Sequence, residues 1–158
     1  MKKSLLCSFA LLLLFSANVY AKDPFIGYAA GGYNGKLLIF GIPSLTLLKE
    51  VPAGVDLRGP VLSGSKEGNS NGNPDGVALY AVDKASNTVI FFDLNSSKVS
   101  KTVSLPARFG PSHLDLTPDG KSLCVAGELS GKIAKVDTKS GEVKTIDLPQ
   151  KPAAPVYA

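Results

Sequence analysis

The fold is decided by two stretches of the chain: residues 80–93, YAVDKASNTVIFFD, align without gaps on residues 124–137, CVAGELSGKIAKVD, 44 residues further on. In both stretches, two short runs rich in Val, Ile, Ala and Phe flank a polar turn that ends in Asn87 or Gly131. Asn and Gly are the residue types that adopt the positive φ of tight two-residue hairpins. Each stretch is therefore predicted to be a β-hairpin, and the two hairpins to be copies of one repeated unit.

The repeated unit extends beyond the hairpin. Both copies continue through a polar turn into an alternating strand that ends in Leu-Pro, at Leu105 and Leu148, and an earlier copy of the hairpin occupies residues 32–44. Self-similarity at about 40–45 residues, with four short strands per unit, is typical of the blades of a β-propeller. After the first 21 residues no segment keeps a helical period. The sequence predicts an all-β, β-propeller-like fold of about three four-stranded blades.

The first 21 residues have the three parts of a secretory signal peptide. Lys2 and Lys3 supply the positive charge, residues 5–15 are apolar, and Val19-Tyr20-Ala21 places small residues at the cleavage site. The apolar run is shorter than the roughly 20 residues that a membrane-spanning helix requires. We therefore expect cleavage after Ala21, location in the periplasm or outside the cell, and no membrane span in the mature chain.

Residues 22–158 are predicted to form one partial β-propeller domain. Closed propellers have about four to eight blades, so about three blades do not close a ring. Residues 151–158 read as the opening strand of a further blade. We expect the chain to be a piece of a longer propeller, or to need another copy or a protein partner that covers its exposed edges.

Composition disfavours several functional classes. Lys and Arg outnumber Asp and Glu by 17 to 13, and two of the lysines lie in the predicted signal peptide, so no nucleic-acid partner is expected. The chain has one His and two Cys, too few for a metal centre built from these residue types alone. Cys124 lies in an apolar run and is expected to be a buried, inert thiol. No cofactor and no catalytic residue are predicted.

Three segments carry a resemblance to known families. Residues 31–44, GGYNGKLLIFGIPS, and residues 56–63, DLRGPVLS, followed by Asp75-Gly76, resemble the N-terminal propeller of nitrous-oxide reductase. Residues 110–121, GPSHLDLTPDGK, are similar to the YVTN-type repeats of exported bacterial propellers. The resemblance implies a propeller and, for the nitrous-oxide reductases, a copper cluster held by histidines.

The chain departs from the nitrous-oxide reductase pattern at the copper ligands. Arg58 and Gly59 stand where the family has an adjacent pair of histidines. Arginine stays protonated in proteins and has no lone pair to give to copper. The resemblance therefore implies the fold without the copper site.

Four residues are candidates for ligand binding. His113 is the single histidine, and we expect it to share with Asp115 the face of an innermost strand that is opposite Leu114 and Leu116. Arg58 and Arg108 are the two arginines, and they are expected in loops that lead into blades, where a guanidinium could hold a small anion. For each candidate a purely structural role is the alternative.

The leading interpretation is an exported, non-catalytic β-propeller module that serves in binding or as a scaffold. One alternative is a fragment or subunit of a copper-dependent enzyme resembling nitrous-oxide reductase. Another is a periplasmic propeller that binds haem or a quinone, with His113 and an arginine at its channel. Tyr28 and Tyr33 are expected to serve packing within strands.

Overall fold

A computed structural model of the chain describes residues 25–63 and 78–149. The predicted signal peptide, residues 64–77 and the predicted opening strand at residues 151–158 lie outside the described residues. The described ranges contain eleven β-strands and no helix. The prediction of an all-β chain is confirmed.

The eleven strands form three antiparallel sheets, in which each strand pairs with the next one along the chain. Sheet 1 contains β1 (Phe25–Ala30), β2 (Lys36–Ile42) and β3 (Leu47–Pro52). Sheet 2 contains β4 (Leu57–Leu62), β5 (Ala78–Asp83), β6 (Thr88–Asp93) and β7 (Lys98–Ser104). Sheet 3 contains β8 (Pro111–Leu116), β9 (Ser122–Gly127), β10 (Lys132–Asp137) and β11 (Val143–Asp147). This succession of small up-and-down sheets is an incomplete β-propeller, as predicted.

The 44-residue repeat appears in the register of the strands. β5 and β6 recur as β9 and β10 with that spacing. At the ends of β6 and β10, the carboxylates of Asp93 and Asp137 accept hydrogen bonds from backbone N–H groups of the following turns. The bonds from Ser96 and Asn95 hold the pKa of Asp93 below its usual value, and those from Ser140 do the same for the pKa of Asp137. Sheets 2 and 3 are thus copies of one unit, including the turns that follow β6 and β10.

The first strand of each four-stranded sheet lies innermost, because β4 contacts both β8 and β1. By the spacing of the hairpins, β1 corresponds to β5 and β9, which are second strands. Among the described residues sheet 1 therefore has no counterpart of β4 and β8. The first blade has three described strands instead of the four predicted.

Two apolar cores hold the sheets together. One lies between sheets 1 and 2 and contains Leu37, Ile39, Val51, Leu79, Ala81 and Phe92. The other lies between sheets 2 and 3 and includes Tyr80, Val82, Val89, Phe91, Val103, Phe109, Leu114, Leu123, Val125, Ala134 and Val136. Sheet 2 is consequently covered on both faces, and nearly every residue of β5 and β6 is buried.

A buried carboxylate ties sheet 2 to the connection that enters it. Asp83 is 1% exposed and accepts hydrogen bonds from the backbone N–H groups of Val55 and Asp56 and from the N–H and hydroxyl of Ser86. Burial raises the pKa of Asp83, but these hydrogen bonds outweigh it and hold the pKa below its usual value. Asp83 therefore fixes the connection 53–56 against the turn that follows β5.

The hairpin turns have the backbone conformation that their residue types predict. Asn87 and Gly131 have φ values of 57° and 69°, although the turns contain four residues and not two. Gly35, in the corresponding turn of sheet 1, has φ 63°, and a Cβ there would lie 2.0 Å from the carbonyl oxygen of Gly54. Both the positive φ and the lack of space for a Cβ require glycine at position 35.

Candidate functional site

Charged and aromatic side chains gather where the innermost strands begin. The connections that enter each sheet and the turns between second and third strands lie at this end of the sheets, which we call the upper face. The residues in question, called here the upper-face cluster, are Tyr33, Asp56, Arg58, Lys84, His113 and Glu128.

Arg58 is held in one orientation. It lies in β4 rather than in the preceding loop, where the sequence placed it. Its Nε donates to Oδ1 of Asp56 at 2.8 Å and its second terminal nitrogen donates to Oδ2 at 3.2 Å. Its guanidinium carbon is 4.9 Å from the ring centroid of Tyr33. A planar cation that is held at one edge by a carboxylate and faces an aromatic ring can bind an anion at its remaining edge.

The charge of Arg58 is permanent. Hydrogen bonding to Asp56, followed by hydrogen bonding to Tyr33, raises the pKa of the guanidinium above its already high ordinary value. The Arg58 side chain is 37% exposed, whereas that of Asp56 is 7% exposed. The cation therefore reaches solvent while its partner stays covered.

His113 lies on the innermost strand beside Arg58. Leu114 is buried in the core between sheets 2 and 3 and Leu116 packs against it, so His113 occupies the predicted opposite side of β8 and is exposed. A Cβ built on Gly59 would lie 3.6 Å from the Cα of His113. β4 and β8 thus bring a guanidinium and an imidazole to adjacent strands.

An ion pair between two turns completes the upper-face cluster. Nζ of Lys84 lies 2.6 Å from Oε2 of Glu128. Lys84 lowers the pKa of Glu128 most, with smaller contributions from the positive charges of Arg58 and His113. Because an exposed ion pair contributes little to stability, its effect here is on the local charge pattern. The upper-face cluster thus contains two cations, each paired with a carboxylate, and the imidazole of His113.

The other two candidates are Arg108, on the connection that enters sheet 3, and Asp115, in β8. Arg108 is exposed, with φ 59°, on the connection between β7 and β8. Asp115 is further along β8, and its carboxylate accepts the backbone N–H of Leu116 at 2.8 Å. Of the four predicted residues, the structure brings Arg58 and His113 to neighbouring positions, and it gives Asp115 a local backbone contact.

Four members of the upper-face cluster were missed from the sequence. Tyr33 was expected to pack within a strand and is instead 83% exposed in the turn after β1, where it faces Arg58. Asp56 could have been predicted from the sequence. Residues two positions apart in an extended chain have side chains on the same face, and Asp56 lies two positions before Arg58. Lys84 and Glu128 occupy the same repeat position with opposite charges, which is also a readable signal.

Cys124 differs from its expected burial. It is only partly buried, because it lies on the face of sheet 3 opposite the core formed by Leu123 and Val125. Within residues 25–63 and 78–149, no group of three or more His, Cys, Asp or Glu is placed to hold a metal ion. The same ranges contain no helix with the length and apolar character needed to cross a membrane.

Comparison with known proteins identifies a family of propellers. The family model described as "Lactonase, 7-bladed beta-propeller" matches residues 64–154, more than half of the chain. No curated protein gives a significant match in sequence. The family match supports a propeller and does not single out the nitrous-oxide reductases.

Two solved structures share the fold. A Kuenenia stuttgartiensis hydrazine synthase matches with a TM-score of 0.68 at 20% identity, over 84% of this chain and 35% of its own. A protein from Lactobacillus plantarum matches with a TM-score of 0.57 at 24% identity, over 77% of this chain and 38% of its own. The chain thus spans little more than a third of the length of either structure.

Proposed function

Because the chain belongs to the seven-bladed β-propeller lactonase family, we propose that it is an exported propeller segment whose upper-face cluster binds a small organic anion. Export follows from the predicted signal peptide. Binding is supported by Arg58, whose guanidinium is oriented by Asp56 and whose side chain is 37% exposed. Carboxylates are the ligands that the planar fork of arginine fits best.

The arrangement favours binding over catalysis by this chain alone. Two nitrogens of Arg58 already donate hydrogen bonds to the carboxylate of Asp56. Arg58 can therefore hold an anion by its charge and its remaining N–H groups. The role proposed for His113 is to donate a hydrogen bond to the same anion from the neighbouring strand. In this chain the upper-face cluster would hold one end of a ligand whose other contacts come from further blades.

The family name supports a second candidate, hydrolysis of a lactone. In that reaction water adds to the ring carbonyl and gives its proton to His113, and Arg58 stabilises the oxyanion. The ring C–O bond then breaks and the leaving oxygen takes the proton back. The product is a hydroxy acid, so the same arginine would face a carboxylate at the end of the reaction.

The copper alternative does not fit the residues present. Gly59 has no side chain to offer, and Arg58 is held by Asp56 and Tyr33. Positions 58 and 59 therefore offer no side-chain ligand to copper.

Replacement of Arg58 tests the proposal. The Arg58→Ala variant is expected to bind gluconate about 10- to 100-fold more weakly in isothermal titration, because a charge-assisted hydrogen bond contributes about 1.5–3 kcal/mol. Lys98→Ala, which removes an exposed cation from β7, is the matched control and should bind as the unmodified protein does. Equal binding by both variants would contradict the proposal.

Gluconolactone distinguishes the two candidates. Under the binding function, gluconolactone disappears at the same rate with and without the protein. Acceleration that is lost in His113→Ala would favour hydrolysis instead.

A further inference from the structure

Three large apolar side chains are exposed at the upper face. Tyr33, Val55 and Leu129 are 83%, 56% and 59% exposed. All three lie in turns or connections, where Gly, Asn, Asp and Ser are the usual residues. Apolar residues scattered singly over a surface are ordinary, whereas a group of them rimmed by polar residues indicates a binding surface. We call these three residues the apolar border.

Two members of the apolar border lie on the side of sheet 1. The ring of Tyr33 faces the guanidinium of Arg58 at 4.9 Å and is otherwise open to solvent. Val55 belongs to the connection 53–56, where the backbone N–H of Gly54 donates to the carbonyl of Gly35 at 3.0 Å. That connection therefore lies against the turn that carries Tyr33, and the two apolar side chains come from adjacent loops.

Leu129 lies on the side of sheet 3. It follows Glu128 in the turn between β9 and β10, and the backbone N–H of Glu128 donates to the carbonyl of Gly110 at 2.9 Å. A Cβ built on Gly110 would lie 2.4 Å from Cγ of Leu129, so the leucine side chain occupies the space that this glycine leaves. Leu129 thus lies over the residue that precedes β8, three positions before His113.

The repeat places a small residue between the two large ones. Ala85 holds the same turn position in sheet 2, 52 residues after Tyr33 and 44 residues before Leu129. Sheet 2 packs between sheets 1 and 3, so its turn lies between theirs. Arg58 and Lys84 belong to sheet 2 and to this turn. The cations of the upper-face cluster are therefore flanked on both sides by exposed apolar groups.

We propose that the anion held by Arg58 is an amphipathic monocarboxylate, whose apolar chain lies against Leu129 and Tyr33. This inference rests on the proposed anion site and names the class of its ligand. One carboxylate is favoured over two, because a second negative group would meet the carboxylates of Asp56 and Glu128. An apolar chain also removes water from the guanidinium, which strengthens its hydrogen bonds to the ligand.

A comparison of hexanoate with gluconate tests the inference. Both ions have six carbons and one carboxylate, and they differ in whether the chain is apolar or hydroxylated. In isothermal titration of the mature chain, hexanoate is expected to bind about tenfold more tightly, which burial of two methylene groups suffices to produce. Equal or weaker binding of hexanoate would overturn the inference and leave the anion site in place. Binding of neither ion would overturn both.

Leu129→Ser locates the apolar contact. It should remove most of the preference for hexanoate and leave the affinity for gluconate unchanged. Ile146→Ser is the matched control, because Ile146 is 61% exposed on sheet 3 but lies in β11 rather than at the upper face. Both substitutions replace exposed side chains, so both variants are expected to fold. A preference that is lost in Ile146→Ser, or retained in Leu129→Ser, would overturn the inference.

Arg58→Ala shows whether the apolar contact and the cation belong to one site. If they do, the substitution weakens the binding of hexanoate and gluconate by similar factors. Undiminished binding of hexanoate by Arg58→Ala would mean that the apolar chain binds without the cation, and would overturn the inference. Undiminished binding of gluconate as well would contradict the proposed anion site itself.

Discussion

Replacement of Phe92 by alanine is expected to lower the free energy of unfolding by about 3–5 kcal/mol, as measured by urea denaturation. Phe92 is 1% exposed in the core between sheets 1 and 2, where it packs with Leu37, Ile39 and Leu79. Truncation removes apolar surface from this core and leaves a cavity that two sheets cannot fill without moving. The loss should therefore exceed that of any surface substitution.

The chain provides a matched control for Phe92→Ala. Phe40 is the same residue type at the same position of the repeat, but it lies on the face of sheet 1 that points away from sheet 2 and is only partly buried. Phe40→Ala should therefore lower the free energy of unfolding clearly less than Phe92→Ala does. Equal losses would mean that sheet 2 does not pack on sheet 1 through Phe92.

Replacement of Asp83 by asparagine is expected to lower the free energy of unfolding by about 2–4 kcal/mol at neutral pH. The buried carboxylate accepts hydrogen bonds from Val55, Asp56 and Ser86, and an asparagine side chain has only one acceptor oxygen to offer them. The variant would leave backbone N–H groups of the connection 53–56 facing an amide NH₂. Asp93→Asn, at the end of β6 where the side chain is less buried, is the matched control and should lose less stability.

The stabilisation by Asp83 should depend on pH in one direction. The folded-state pKa of Asp83 lies below the ordinary value of about 3.9, so the folded state favours the ionised form. Its contribution is complete above about pH 5 and is lost as the pH falls through the folded-state pKa. The stability difference between the wild type and Asp83→Asn should therefore be constant near neutral pH and shrink in acid. A difference that grows in acid would contradict this role for Asp83.

The repeat predicted the architecture because propeller blades are defined by local hairpins. The alignment of residues 80–93 on 124–137 placed the strand pairs and the turn aspartates Asp93 and Asp137, which depend on neighbouring residues alone. It could not reveal the role of Asp83, whose counterpart in the next copy is Gly127 and whose partners include Val55 and Asp56 in the connection between sheets 1 and 2. A residue that departs from the repeat gives no periodic signal.

The candidate site was predictable only in part for the same reason. Arg58 and His113 stood out as rare residue types, but the contact between Arg58 and Tyr33 joins a strand of sheet 2 to a turn of sheet 1. The exposure of Cys124 depends on which face of sheet 3 meets the core, and an apolar sequence run does not reveal that. Contacts between blades, which create the upper-face cluster, are specified by how the sheets stack.

Mapping of gluconate onto the protein by NMR tests the central claim, anion binding at the upper face, most directly. In a titration of the isotopically labelled mature chain, the account predicts saturable shifts of the backbone amides of Tyr33, Arg58, His113 and Glu128, with little change at the turns after β6 and β10. Shifts confined to those turns, or no saturable shift at all, would contradict it.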